Sequence, residues 1–409
     1  MTKEFSQDLF VKKGSKVYIK GLFPCDCRKI NVQKYYDFFN YNGYSLTSSI
    51  KNSDVVVLWT CGFRDDYRKN SVNLIYQILE LVNIPVIICG CLPHIDPDLL
   101  QQLESHKQCV VVPWRDEMKF FSQFIYSDHK PYSSIKPKYV EKKLVEDLAS
   151  YRKENKKPDR TFSDQFVKLF ISEGCSLNCS YCSEKRTFPD YHSYPFHDLI
   201  NSCSDLIETY NEYHIMLIAD NVGEYGLDIN YTLPDLILAL FELDDKVKVG
   251  IQNLNPTYFK RYFDSFTNFI KNDRMLHLRL PIQSASDKIL KTMNRTYSKS
   301  DLHEIFSFMV KVGFNDFSTD MICGFPGESE NDYQETLKFL LNYVPTYVNL
   351  SAFMSSSSIP AGLYDDQIPE KEKRIRVFEA EKLLKEQGVY CNTDFGLTSD
   401  HRRSIINTL

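Results

Sequence analysis

Apolar positions along residues 15–125 come in short runs separated by amphipathic stretches. KVYIKGLF, SDVVVLWT and IPVIICG read as buried strands. NVQKYYDFFNYNG and DYRKNSVNLIYQILELVN read as helices, the first closed by Gly43 as a C-terminal signal. Strand–helix alternation of this kind predicts a parallel sheet flanked by helices, a small doubly wound domain that receives ligands beyond the carboxyl ends of its strands. A polar, proline-punctuated run over 127–161 follows and reads as a linker. From 162 the alternation resumes with FVKLFIS, YHIMLIAD, KVKVGI, MLHLRLPI, DFSTDMIC and YVNLSAF. Six such units predict a partial or complete β/α barrel over 162–390, its closure left open. The tail 391–409 carries no strong pattern, and SSSS at 355–358 reads as a short loop. The first domain is thus expected over 1–126, and the fold class is α/β throughout.

Length and composition alter this picture little. A chain of 409 residues is too long for one ordinary core, and 43% hydrophobic with 25% charged residues is a normal globular mixture. The N-terminal MTKEFSQDLFVKKG lacks the apolar run of a signal peptide, and no segment has the apolar length of a membrane span. A cytoplasmic protein is expected. In that reducing compartment twelve cysteines argue for metal or cluster ligation over a disulfide framework. A net charge of −5 argues against a generic nucleic-acid surface, although a local basic patch can operate in an acidic chain. KPKYVEKKLVEDLASYRKENKKPDR, 136–160, is one candidate, with a solvated linker helix as its plainer reading.

The chemistry concentrates in ISEGCSLNCSYCSEKR, where Cys175, Cys179 and Cys182 follow the strand VKLFIS. Structural zinc closes with four ligands, whereas C-x3-C-x2-C supplies three. A cubane held by three thiolates leaves one iron open to another ligand, and the triplet lies at the catalytic end of a β/α barrel. The spacing C-x3-C-x-aromatic-C resembles the radical S-adenosylmethionine (SAM) enzymes. Further segments narrow the match. LIADNVGEYGLD, RLPIQSASDKILKTMNRTYS and STDMICGFPGESENDY resemble motifs of the radical SAM methylthiotransferases, in order. VVVLWTCGF and VIICGC resemble the cysteine-bearing strand ends of that family's N-terminal domain. The resemblance covers roughly residues 15–390.

That resemblance implies two [4Fe–4S] clusters and SAM as cofactors, with a donor such as flavodoxin or ferredoxin supplying the electron. Cys175, Cys179 and Cys182 would hold the first cluster, whose open iron binds SAM and cleaves it to a 5′-deoxyadenosyl radical. Cys61 and Cys91 would hold the auxiliary cluster with Cys27, Cys25 being the alternative. Tyr181 would lie beside the adenine, and Asp220, Asn221, Gln283 and Ser284 are candidate SAM contacts, each also able to cap a helix. GFPGE, 324–328, reads as a tight turn with Gly327 left-handed. An unactivated C–H bond has no useful acidity, which is the physical reason for a radical in place of a general base.

Two departures bear on the substrate. After Cys182 the family runs to Arg-Gly and Ser-Arg, where this chain has SEKRTFPDYHSYPF, and little sequence follows residue 390 in place of the RNA-binding TRAM barrel of tRNA-modifying members. The expectation is therefore insertion of a methylthio group into a non-tRNA substrate, a peptide, protein side chain or small molecule of a natural-product pathway. The alternatives are a tRNA methylthiotransferase lacking that barrel, or a radical SAM enzyme using the auxiliary cluster for electron transfer or unmethylated sulfur. A noncatalytic iron–sulfur scaffold is the reading from another class.

Overall fold

A computed structural model describes residues 14–22, 25–63, 65–113, 117, 121, 130–141 and 166–393. Most of the expected linker, including 142–160 of the basic segment, lies outside them. The described residues form two compact units, the first from 14 to 138 with 186–188, the second from 139 to 185 and from 189 to 393.

In the first unit β1 (Lys16–Gly21), β2 (Ser45–Thr47), β3 (Val55–Thr60), β4 (Val86–Gly90) and β5 (Cys109–Val111) form one parallel sheet in the order β2-β1-β3-β4-β5. Alternate side chains feed two separate cores, as strands buried on both faces require. Val55, Val57 and Trp59 face α1 (Asp26–Tyr41) through Tyr35, Phe38 and Phe39. Val56 and Leu58 face α2 (Asp65–Leu81) through Leu74, Ile75 and Ile78. Gly43 (φ 75) closes α1 in the left-handed conformation that glycine adopts without strain. The strand order reverses beside β1 and β3, so their carboxyl ends open the crevice where doubly wound sheets bind ligands.

The second unit is built on β6 (Val167–Glu173), β7 (His192–Ser193), β8 (His214–Ala219), β9 (Lys248–Ile251), β10 (Met275–Arg279), β11 (Phe317–Cys323), β12 (Tyr347–Ala352) and β13 (Tyr390–Thr393). Their order is β13-β12-β11-β10-β9-β8-β6-β7, every ladder parallel except β6–β7. Among the described residues no ladder joins β13 to β6 or β7, so the barrel is partial. β13 begins a region that carries no sequence pattern. Its four residues have meaning only against β12, where Val348 and Leu350 pair with Cys391 and Thr393.

Helices α3 (Phe196–Tyr210), α4 (Leu233–Phe241), α5 (Asp287–Thr292), α6 (Lys299–Lys311), α7 (Glu330–Tyr343) and α8 (Glu370–Glu386) lie between the strands. Capping boxes at Thr232/Asp235, Ser298/Asp301 and Ser329/Asp332 start three of them by satisfying N-terminal N–H groups reciprocally. The turn after β11 has Gly327 at φ 75, and it is tied to α8 by a buried Glu328–Arg376 pair at 2.7 Å. No helix among the described residues is long and apolar enough to cross a membrane.

Candidate metal and cofactor sites

In the second unit the loop leaving β6 carries all three cysteines of the triplet. Gly174 turns the chain at φ 81, where a Cβ would fall 2.4 Å from the Asp190 carbonyl oxygen. Its N–H donates to Asp220 Oδ2 at 2.8 Å. Beyond it Glu224, fully buried after β8, accepts from the Ser176 N–H (2.9 Å) and hydroxyl (2.7 Å) and from the Tyr258 hydroxyl (3.2 Å). Lys185 donates to the carbonyls of Ser176 and Leu177. The far end of the loop docks on the α5–α6 turn. Ser180 donates to Met293 and Thr292 carbonyls, and Asn294 donates to the Asn178 carbonyl. Gly174→Ala is therefore expected to misplace the loop and reduce iron bound by the second unit, measured as iron per chain after anaerobic reconstitution.

The sulfur atoms meet different neighbours. Asn221 Nδ2 is 3.9 Å from Cys175 Sγ, while Asn221 Oδ1 is buried with no hydrogen-bond partner. Arg295 Nη1 donates to Cys179 Sγ at 3.3 Å and to the Tyr181 hydroxyl at 3.1 Å. Burial, then the Glu224 carboxylate, raises the Cys175 thiol. Burial, then Glu184 and Cys179, pushes Cys182 up to about 12. Without a cation the Cys175 and Cys182 thiols stay protonated at neutral pH, and binding of a metal group to them would release the protons.

The donor chemistry fits a four-iron cluster. Three sulfurs lie on one fixed loop, beside a buried amide oxygen that lacks a partner. Among the described residues no three His, Cys, Asp or Glu side chains converge as ligands of a single ion would. A cluster takes each thiolate on a different iron and does not require that convergence.

Cys175, Cys179, Cys182, Tyr181, Asp220 and Asn221 are thus gathered at the carboxyl ends of β6 and β8. Gln283 follows β10 at φ 65, its backbone bonded to Asp320 and Ile322. Ser284 is fully buried, its hydroxyl shared with Thr336 Oγ1 and accepting the Ser286 N–H. Its polar capacity is spent inside the fold. Arg295 and Glu224 escaped the sequence reading. Both lie within segments that carry family motifs, but a charge there has no significance until the fold sets it against the cysteine loop.

In the first unit Cys61 and Cys91 follow the neighbouring strands β3 and β4, joined by the Cys91 N–H to Thr60 carbonyl bond at 2.9 Å. Ser71 fixes the Cys61 backbone through both its N–H and its carbonyl. Cys25 is the N-cap of α1 and half-buried, and Cys27, one residue into that helix, is buried. These thiols stand at the carboxyl ends of three adjacent strands, around the sheet's reversal point. Cys89 instead points into the core, donating to the Leu58 carbonyl at 3.3 Å, and Cys203 and Cys323 are wholly buried elsewhere.

A barrel strand followed by this cysteine loop defines a radical SAM domain, and the family model for the Radical SAM superfamily matches residues 169–340. The model described as "Uncharacterized protein family UPF0004" matches residues 16–112. A probable threonylcarbamoyladenosine tRNA methylthiotransferase of Methanocaldococcus jannaschii is 26% identical, covering 95% of this chain and 87% of that protein. The threonylcarbamoyladenosine tRNA methylthiotransferase of Homo sapiens is 25% identical over 85% of this chain, which spans 59% of the human protein. The ribosomal protein uS12 methylthiotransferase RimO of Thermotoga sp. is 26% identical over 86% of this chain and 78% of its own length. Among solved structures, the radical SAM methyltransferase TsrM of Kitasatospora setae superposes with a TM-score of 0.58 at 11% identity, over 86% of this chain and 77% of that one. The cobalamin-dependent SAM radical enzyme OxsB gives 0.53 at 13% identity, over 96% and 61%. Those two likenesses show the fold. The chain belongs to the radical SAM methylthiotransferase family, and it is an enzyme of that type using [4Fe–4S] clusters and SAM.

The expected natural-product substrate is corrected by these relatives, whose names specify tRNA or ribosomal protein uS12. Net charge is a weak guide to the substrate because it averages the whole chain, whereas binding depends on the local field.

Proposed function

We propose that the protein attaches a methylthio group to threonylcarbamoyladenosine in tRNA. The observation that carries this is the shared name of relatives from archaeal and vertebrate sources, 25–26% identical over at least 81% of this chain. Ribosomal protein uS12 is the second reading, favoured by two relatives at 26% identity over 86% and 90% of the chain. We place the enzyme in the cytoplasm, reduced by a flavodoxin- or ferredoxin-type donor.

Cys175, Cys179 and Cys182 would hold the first cluster, and Cys61 and Cys91 the second with Cys27, which is buried as they are, Cys25 remaining the alternative. When bound, these groups and SAM supply the radical that takes hydrogen from the substrate carbon and the sulfur that replaces it. The protein's part is placement and exclusion of water. Asp220 fixes the loop through Gly174, Asn221 offers its unpartnered amide oxygen to SAM, and Tyr181 is held by Arg295 beside the cysteines. Gln283 would reach the cofactor from the end of β10, whereas Ser284 would support that strand end.

The test pairs two substrates. Reconstituted enzyme, SAM and dithionite are incubated anaerobically with tRNA bearing threonylcarbamoyladenosine, or with uS12, and products are read by mass spectrometry. Methylthiolation of the tRNA nucleoside alone supports the proposal, and modification of uS12 alone replaces it with the second reading. Without substrate, formation of S-adenosylhomocysteine and methanethiol is expected. Cys61→Ser and Cys91→Ser should abolish the methanethiol while leaving 5′-deoxyadenosine formation under dithionite.

A further inference from the structure

The guanidinium of Arg295 is the one described cation with a hydrogen bond to a sulfur of the cysteine triplet. Its geometry is unusual in how little freedom it leaves. Nη2 donates to the Pro281 carbonyl at 2.6 Å, at the end of β10, and Nε donates to the Tyr297 hydroxyl at 2.7 Å. Tyr297 is itself buried and anchored, donating to the Ile282 carbonyl at 2.7 Å. Two edges of the planar fork are thereby fixed, and the remaining Nη1 edge is aimed at Cys179 Sγ and the Tyr181 hydroxyl. A residue needed only to brace the α5–α6 turn would be satisfied by the first two bonds.

We propose that Arg295 is a positioning residue that raises the reduction potential of the first cluster through its hydrogen bond to Cys179. This rests on the ligand assignment proposed above. The added electron makes the cluster and its thiolates more negative. A fixed cation donating to one of those sulfurs stabilises the reduced form over the oxidised form. No proton or atom is transferred; the electron comes from a one-electron donor, dithionite in the experiment below. The same fork holds the Tyr181 hydroxyl, so tuning and placement of the aromatic ring are joined in one side chain. Lysine at this position could keep the charge but not the three fixed directions.

The test uses the reconstituted holoenzyme and reads the electron paramagnetic resonance signal that changes when SAM is added, which distinguishes the first cluster from the auxiliary one. At the wild-type midpoint, Arg295→Gln is expected to lower the reduced-to-oxidised ratio about tenfold, or about 59 mV for one electron. Arg295→Lys should fall between the two. A ratio within twofold of wild type in Arg295→Gln, with iron content retained, overturns the proposal. Should the glutamine variant fail to hold iron, the wild-type enzyme decides. Arginine labelled with 15N at the guanidinium should show hyperfine coupling to the reduced first cluster, and absence of coupling overturns the proposal. Cys179→Ala separates the two levels. If that variant keeps the SAM-responsive signal, the ligand assignment fails; if it loses the signal while wild type lacks the coupling, only the role of Arg295 fails.

Discussion

Cys175→Ala is expected to abolish 5′-deoxyadenosine formation while the first unit keeps its cluster. The three sulfurs sit on a loop anchored at Gly174, Ser176 and Ser180, so alanine removes a ligand without releasing the backbone. No other cysteine follows β6 within that loop to replace it. Loss of an outer-shell partner costs a metal site about 10–100-fold, and loss of a ligand should cost more. The measurement is iron and sulfide per chain together with 5′-deoxyadenosine under dithionite. About half the iron should remain, and Cys61→Ser should show the complementary loss. Iron lost from both units in either variant would sink the assignment of two separate sites. Cys203→Ala, wholly buried on α3, serves as a control that should lower stability and leave both clusters in place.

Arg376→Leu is expected to destabilise the second unit by about 3–5 kcal/mol, the usual cost of leaving a buried charge without its partner. Arg376 Nη1 donates to both the backbone carbonyl and Oε2 of Glu328, and its Nη2 pairs with Glu372. The Gly324 N–H also donates to Glu328 Oε2 at 2.7 Å, so the pair closes the turn after β11 against α8. Urea denaturation should show the loss, and Arg376→Leu/Glu328→Gln should recover a large part of it, because the uncompensated carboxylate is gone. Burial raises the Glu328 carboxyl from 4.5 to about 7, against the opposing pull of the Gly324 N–H and Arg376. The folded chain therefore binds this proton more tightly than the unfolded chain. Its contribution to stability is fully present below pH 4.5, declines as pH rises towards 7, and is level above that. The decline amounts to at most about 3 kcal/mol. In Arg376→Leu, the missing cation should extend it to higher pH; an unchanged profile would show that the two groups are not coupled.

The features legible in the chain before folding are local. The near-continuous apolar runs of β3 and β4 announce a sheet covered on both faces, and the helix ending at Gly43 and the turn at Gly327 are written in residues that tolerate positive φ. C-x3-C-x2-C fits within one loop, so its spacing survives folding and is legible beforehand. Family motifs in order across both units extended this to the cofactors, but charge and the sequence after residue 390 pointed to the wrong substrate class. The rest arises from contacts between distant segments. The strand β13 exists through its ladder with β12, and the partial closure of the barrel is a property of the whole sheet. Ser284 shares a motif with Gln283, yet packing turns its hydroxyl to Thr336. Arg295 lies 116 residues from Cys179, and no local preference encodes a hydrogen bond across that distance. The barrel makes the contact by placing the α5–α6 turn against the loop after β6, where a half-buried sulfur and a fixed cation become neighbours.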